Sequence, residues 1–229
     1  MKDIKFIFID IDNTLLDFDA CIHEALNTGF EKFGLGEFNE GMFETFTKIN
    51  NMMWQRLEKG EIDLTQLKKE RFAMVFKALN INFDGVTFEN WFRTFVHECV
   101  IPVDGAYELL ESLSKKYVLC TASNGPEEQQ RYRMAISKMD KYFKYHFISE
   151  GLGVSKPSKE FFEKAMVIMG NVKPEECLII GDSLTSDIQG GINAGMKTIY
   201  FNKHKKKENK PIKSDYEFDT LKEIEEFLK

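Results

Sequence analysis

The run Ile4-Lys5-Phe6-Ile7-Phe8-Ile9-Asp10 constrains the fold more than any other stretch of the chain. Its nearly continuous apolar character is that of a strand covered on both faces, which belongs to a parallel sheet with helices above and below. The next elements are not strands. From about Phe18 to Cys99 the apolar period is helical, with Ile22, Leu26, Phe30 and Phe33 on one stripe and Met42, Phe46, Ile49 and Met53 on a second. Leu67, Phe72, Val75 and Leu79 form a third stripe, and Phe88, Trp91, Phe95 and Cys99 a fourth, so four or five helices fit. After Pro102 strand and helix alternate. Helices are expected near 106–114, 127–138, 159–169, 186–194 and 221–228, and strands near 117–122, 145–148, 177–180 and 198–201. This alternation predicts an α/β fold with a parallel sheet and right-handed crossovers. The helical stretch is too long to be a crossover. The expected organisation is therefore a core of residues 1–17 and 100–229 with residues 18–99 inserted as an all-helical cap domain.

Composition narrows the function classes. The chain has 229 residues, 43% of them hydrophobic, enough for a sizeable core. No apolar run approaches the roughly 18 residues of a membrane span, and the chain enters a strand pattern at once without a signal-peptide layout, so a cytoplasmic protein is expected. A net charge of −6 gives no general reason to bind a nucleic acid polymer. The basic run Lys203–Lys210 reads as a solvated loop. Cys21, Cys99, Cys120 and Cys177 form no CxxC pair or compact disulfide framework and read as small buried hydrophobes. The scattered histidines support neither a zinc site nor a hydrolase triad. The methionine and aromatic positions 52–54 of the helical stretch read as core rather than pocket lining.

Chemistry enters where strands end, because ligands gather at the carboxyl ends of parallel strands. Asp10 ends the first strand and Asp12 follows two residues later, roughly 6–7 Å away on the same face. Two such charges repel by about 2–3 kcal/mol at an effective dielectric near 20. Read alone, Asp10 ends a strand and Asp12-Asn13 makes a turn. The other strand ends add more polar groups: Ser123-Asn124-Gly125 after the second, Lys156-Pro157 after the third, and Gly181-Asp182-Ser183 with Asp187 after the fourth. Four carboxylates and one lysine call for a cation, and hard oxygen donors of this kind suit Mg²⁺ shared with a phosphate. Pro157 disfavours helical geometry at Lys156 and leaves it in a loop. Asp10 can then act as a nucleophile forming an aspartyl phosphate, and Asp12 as the acid and later the base. Ser123, Lys156, the metal and backbone N–H groups would stabilise charge on the phosphoryl oxygens.

The segments FIDIDNT, SNG, SKP and GDSLTSDIQGGINAGM resemble, in order, the four signatures of the haloacid dehalogenase (HAD) superfamily of phosphohydrolases. The resemblance spans the core and implies a Rossmann-like three-layer fold with strand order 5-4-1-2-3 and a helical cap inserted after the first motif. Carried over residue by residue, it implies Asp10 as nucleophile and Asp12 as general acid/base. Asp10, the backbone carbonyl of Asp12, and Asp182 would hold Mg²⁺, with Asp187 an outer-shell or water-mediated partner. Ser123, Asn124 and Lys156 would bind phosphate, with Thr121 the alternative hydroxyl to Ser123. Members that cleave carbon–halogen bonds lack an acid at the position of Asp12, which disfavours dehalogenation. DFDACIHEAL, GEIDLTQLKKERF and LIIGDSLTSDIQGGINAGM are similar to the bacterial 5′-nucleotidase branch that hydrolyses pyrimidine and modified nucleoside monophosphates.

The expected function is a Mg²⁺-dependent phosphomonoesterase, with a small phosphorylated metabolite, a nucleoside monophosphate first, as its partner. The alternatives are a sugar-phosphate or phosphoglycolate phosphatase, a phosphomutase, and a noncatalytic binding protein of the same fold. Neither a nucleic acid polymer nor a membrane is expected as a partner; monomer and dimer both stay open. Lys156→Ala is expected to impair phosphate handling without unfolding the core.

Overall fold

The computed structural model describes residues 3–203, 205 and 211–229. In chain order the elements are β1 (Phe6–Ile9), α1 (Phe18–Phe33), α2 (Glu40–Glu58), α3 (Leu64–Ala78), α4 (Gly85–Glu98), α5 (Ala106–Leu113), β2 (Val118–Ser123), α6 (Glu127–Ile136), β3 (Phe143–Ile148) and α7 (Ser149–Leu152). They continue with α8 (Lys159–Ile168), β4 (Cys177–Gly181), α9 (Gln189–Asn193), β5 (Lys197–Phe201), β6 (Tyr216–Phe218) and α10 (Leu221–Leu228). The chain divides into two compact units, Met1–Phe18 with Val100–Lys229, and Asp19–Cys99.

The first unit holds a six-stranded sheet in the order β3-β2-β1-β4-β5-β6, with every pair parallel. Read from the other edge, it contains the expected 5-4-1-2-3 order with β6 added beyond β5. That sixth strand has only three residues, too few to produce a period-two signal, and it pairs on one side only. Alternation along β1 explains the unbroken apolar run. Ile7 and Ile9 pack into one core with Leu109, Leu113, Leu178 and Ile224. Phe8 packs into another with Cys120, Ile179, Phe161 and Phe162. Residues Ile7, Phe8 and Ile9 are each 0% exposed, and burying side chains of this size stabilises by about 1.5–3 kcal/mol apiece.

Register places the strand ends level. Ile9 pairs with Thr121 on one side and Ile180 on the other. The residues just beyond β1, β2 and β4 therefore share one rim of the sheet. The expected helix 186–194 divides into a π-helical turn, Leu184–Ile188, followed by α9. Such wide turns recur at functional sites because they redirect a side chain that a regular helix would carry past.

The second unit is a four-helix assembly with an aromatic core, in which Phe30, Phe46, Phe72, Phe76, Phe88 and Phe92 are all buried. Asn39, Asp63 and Asp84 cap the N-termini of α2, α3 and α4 by accepting backbone N–H bonds, the local signals that start these helices. Arg71 is buried with Glu89, bonded through Nε and Nη2 at 3.0 and 2.7 Å, and its Nη1 donates to Asn50 at 2.8 Å. The ion pair is thus satisfied on both sides, which burial demands. At the 52–54 positions Met53 is fully buried with Ile62 and Leu67, Trp54 packs against them, and Met52 is exposed.

The cysteines depart from the sequence reading. Cys21 and Cys99 form a disulfide across a separation of 78 residues, with Cα atoms 5.9 Å apart. Only folding brings two such distant positions together, so no spacing rule reveals the pair. Cys120 and Cys177 are buried free thiols, and burial pushes the Cys177 pKa up to about 12. In the basic run, Lys203 is not a solvated end: it donates to Asp17 Oδ1 at 2.9 Å and to Asn13 Oδ1 at 3.3 Å. His204 and residues 206–210 lie outside the described residues. Among the described residues no helix is long and apolar enough to cross a membrane.

Candidate active site

Asp10 follows β1 directly and its N–H donates to the Ile180 carbonyl at 2.9 Å, so the sheet itself fixes its backbone. The chain then turns. Asn13 takes the left-handed conformation, φ 61°, that asparagine tolerates better than most residues, and its N–H closes onto the Leu16 carbonyl. This turn keeps Asp12 at the rim, its side chain 28% exposed, while Asp10 stays buried.

Lys156 reaches in from the turn before α8 and is 2% exposed. Its Nζ donates to Asp10 Oδ1 at 2.7 Å, to Asp187 Oδ1 at 2.5 Å and to the Ala122 carbonyl at 2.5 Å. A lysine has three N–H donors, so this ammonium is fully committed to the protein. Burial works against the Lys156 charge, but Asp10 and Asp187 together outweigh it and raise its pKa. Burial pushes Asp10 up to about 7; Lys156 opposes this, while Asp187 and Asp12 add to it.

Asp187 sits in the π-helical turn, where its Oδ2 accepts the Ser183 N–H at 3.0 Å. Gly181 makes that position possible: a Cβ there would lie 2.3 Å from the Asp187 Cγ. Because Lys156 and the Ser183 N–H both hold the Asp187 carboxylate, it cannot step aside freely. Gly181→Ala should therefore displace it and lower magnesium affinity by about 10- to 100-fold, the usual cost of disturbing groups around a metal site. Isothermal titration with Mg²⁺ would read this, and an unchanged Kd would remove Asp187 from the site.

On the neighbouring strand, Ser123 is buried at the end of β2. Its Oγ accepts from the Gly125 N–H at 3.0 Å and from Gln130 Nε2 at 2.8 Å, which leaves the hydroxyl proton to donate. Thr121 lies two residues back along the strand, 3.4 Å from His146 Nδ1. Asn124 clamps the Lys156 turn: its Nδ2 donates to the Lys156 carbonyl and its Oδ1 accepts the Lys156 N–H, both at 2.9 Å.

The sequence reading missed two residues on α6. Arg133 donates to Asp12 Oδ1 at 2.5 Å and Gln130 donates to Asp12 Oδ2 at 2.6 Å. Their signal was an i, i+3 polar pair on the inner face of a helix beside the rim, but a helix reading alone does not say what that face meets.

Asp10, Asp182 and Asp187 each offer a carboxylate oxygen, and these atoms lie within 4.8 Å of one another. All-oxygen donors fit Mg²⁺ better than a thiophilic metal. Charge fits as well. Asp10, Asp12, Asp182 and Asp187 are accompanied by Lys156 and also by Arg133, which the sequence count omitted. Fully ionised, they leave about two net negative charges, which one divalent ion neutralises.

Residues 4–195 match the haloacid dehalogenase-like hydrolase family model, and the chain belongs to that family. Three relatives align with nearly its whole length. The chain is 33% identical to the HAD-hydrolase YfnB of Bacillus subtilis, over 100% of this chain and 97% of that one. It is 34% identical to the pyrimidine 5′-nucleotidase PynA of Streptococcus pneumoniae, covering 96% and 93%, and 30% identical to the pyrimidine 5′-nucleotidase YjjG of Escherichia coli, covering 97% of each. A crystal structure of YfnB bound to magnesium superimposes with a TM-score of 0.89 over 98% of both chains.

Proposed function

We propose that this hydrolase is a magnesium-dependent phosphomonoesterase acting on nucleoside 5′-monophosphates through an aspartyl-phosphate intermediate. The observation that carries the reading is the buried cluster in which Lys156 bridges Asp10 and Asp187 while Asp182 offers a third carboxylate oxygen. In this reading a carboxylate oxygen of Asp10 attacks phosphorus and displaces the ester oxygen. Asp12 gives its proton to the departing alkoxide, then accepts one from the water that releases phosphate. Asp10, Asp182 and the carbonyl of Asp12 would hold Mg²⁺, with Asp187 beside them as an outer-shell or water-mediated partner. When bound, the ion supplies positive charge against which phosphoryl oxygens develop theirs.

Ser123 donates its remaining O–H to the phosphate, and Lys156 exchanges one of its present acceptors for a phosphoryl oxygen. Asn124 serves this step by holding the Lys156 backbone. The inserted helical unit takes the part of a cap that selects the substrate. An acid at position 12 favours ester hydrolysis over dehalogenation, because an alkoxide needs a proton to leave and a halide does not.

The nucleoside assignment is supported by the names of PynA and YjjG, and a substrate panel tests it. Pyrimidine and purine nucleoside monophosphates, small sugar phosphates and phosphoglycolate would be compared by kcat/KM with Mg²⁺ present. Pyrimidine nucleotides should exceed the rest by about tenfold or more, the discrimination of one or two well-formed pocket contacts. Comparable values for unrelated phosphates would defeat the assignment and leave the phosphatase reading standing.

A further inference from the structure

We propose that Gln130 and Arg133 of α6 are positioning residues that lock the carboxylate of Asp12 in its proton-transfer orientation. The inference rests on the acid/base role proposed above for Asp12. Each oxygen of that carboxylate has its own donor: Oδ1 takes Arg133 Nη1 and Oδ2 takes Gln130 Nε2. Bonds to both oxygens fix the plane of the group as well as its place.

The donors are themselves locked. Arg133 Nη1 also donates to Gln130 Oε1 at 3.0 Å, and the guanidinium lies over the Phe18 ring, 5.4 Å from its centroid. Gln130 and Arg133 are both 0% exposed. Gln130 extends the network further, because the same Nε2 reaches Ser123 Oγ at 2.8 Å. One amide nitrogen thus ties the proton carrier to the hydroxyl placed for phosphate.

Stability is a weak reason for this arrangement. Taking a guanidinium out of water is costly, and its partner Asp12 is only partly buried, so an apolar side chain on this face would serve the core as well. Orientation is the better reason. A carboxylate has about four lone-pair positions, and two remain here for a substrate or water proton. Misplacing a reacting group by 1 Å costs on the order of 10²-fold in rate.

The test uses Gln130→Met, which keeps volume and removes the amide, and Arg133→Lys, which keeps charge and loses the planar fork. Asp12→Asn is run beside them. For each, kcat/KM is measured on para-nitrophenyl phosphate, whose phenolate leaves with little need of a proton, and on the alkyl phosphate that the wild-type protein turns over best. This parameter covers formation of the phosphoenzyme, where the leaving group takes its proton, and excludes the later hydrolysis common to both esters. Both variants should lose on the order of 10²-fold on the alkyl ester and about tenfold less on the aryl ester, following Asp12→Asn.

Equal losses on the two esters, or none, with Asp12→Asn still discriminating, would overturn the positioning role and spare the acid/base reading. If Asp12→Asn itself fails to discriminate, that reading falls and the proposal with it. Circular dichroism checks folding, and if Arg133→Lys does not fold, Gln130→Met decides alone.

Discussion

Asp10→Asn should abolish turnover of para-nitrophenyl phosphate with Mg²⁺, by on the order of 10⁴-fold or more, the range seen when an enzyme nucleophile is removed. The amide is close in shape, so the fold should persist. It also relieves a cost, since burial already pushes the Asp10 carboxyl up to about 7. A melting temperature equal to or above that of the wild type is expected in the absence of metal. Residual turnover within about tenfold of wild type would place the nucleophile elsewhere, and the proposed intermediate would have to be abandoned.

Lys156→Ala should be the most destabilising single change at the site. From the sequence alone Lys156 stands in a loop facing substrate, where its loss impairs phosphate handling without unfolding the core. In the fold the ammonium is buried and pairs with two carboxylates, Asp10 at 7% and Asp187 at 1% exposure. Removing one partner of a buried pair costs about 3–5 kcal/mol, because the other charge stays behind.

The sign with pH follows from Asp10. A carboxyl whose folded pKa is raised destabilises the fold above its unfolded pKa, fully so above the folded one. Without the lysine that pKa rises beyond its present value of about 7, so the penalty should be largest in alkali and should shrink as pH falls and Asp10 takes up a proton. Magnesium at about 100 times its Kd should return roughly 2.7 kcal/mol. Thermal denaturation across pH, with and without Mg²⁺, reads both effects. A metal-free variant as stable as the wild type would show that the lysine's pairs contribute nothing.

The contrast at Lys156 shows how far the sequence reached. The strand ends, the two aspartates beyond β1 and the residue types fitting magnesium and phosphate were all legible, because each follows from local periodicity and from which side chains stand where an apolar run stops. The α6 partners were not. Arg133 and Asp12 are separated by 121 positions, and nothing in EEQQRYRMAI distinguishes an inward-facing Gln130 and Arg133 from the exposed Arg131 beside them. The same limit hid the Cys21–Cys99 bridge and the closing of Asn124 onto the Lys156 turn.

By itself, then, the sequence determined the α/β alternation, the long helical insertion and the set of acids, because hydrophobic period and strand termini are properties of neighbouring residues. Only the tertiary structure decided which charges meet. It bound the lysine to two carboxylates, supplied Asp12 with a buried arginine and gave the acidic cluster the charge balance of one divalent ion. The physical reason is that electrostatic pairing depends on separation and burial in space, and those are set by the packing of segments that lie far apart along the chain.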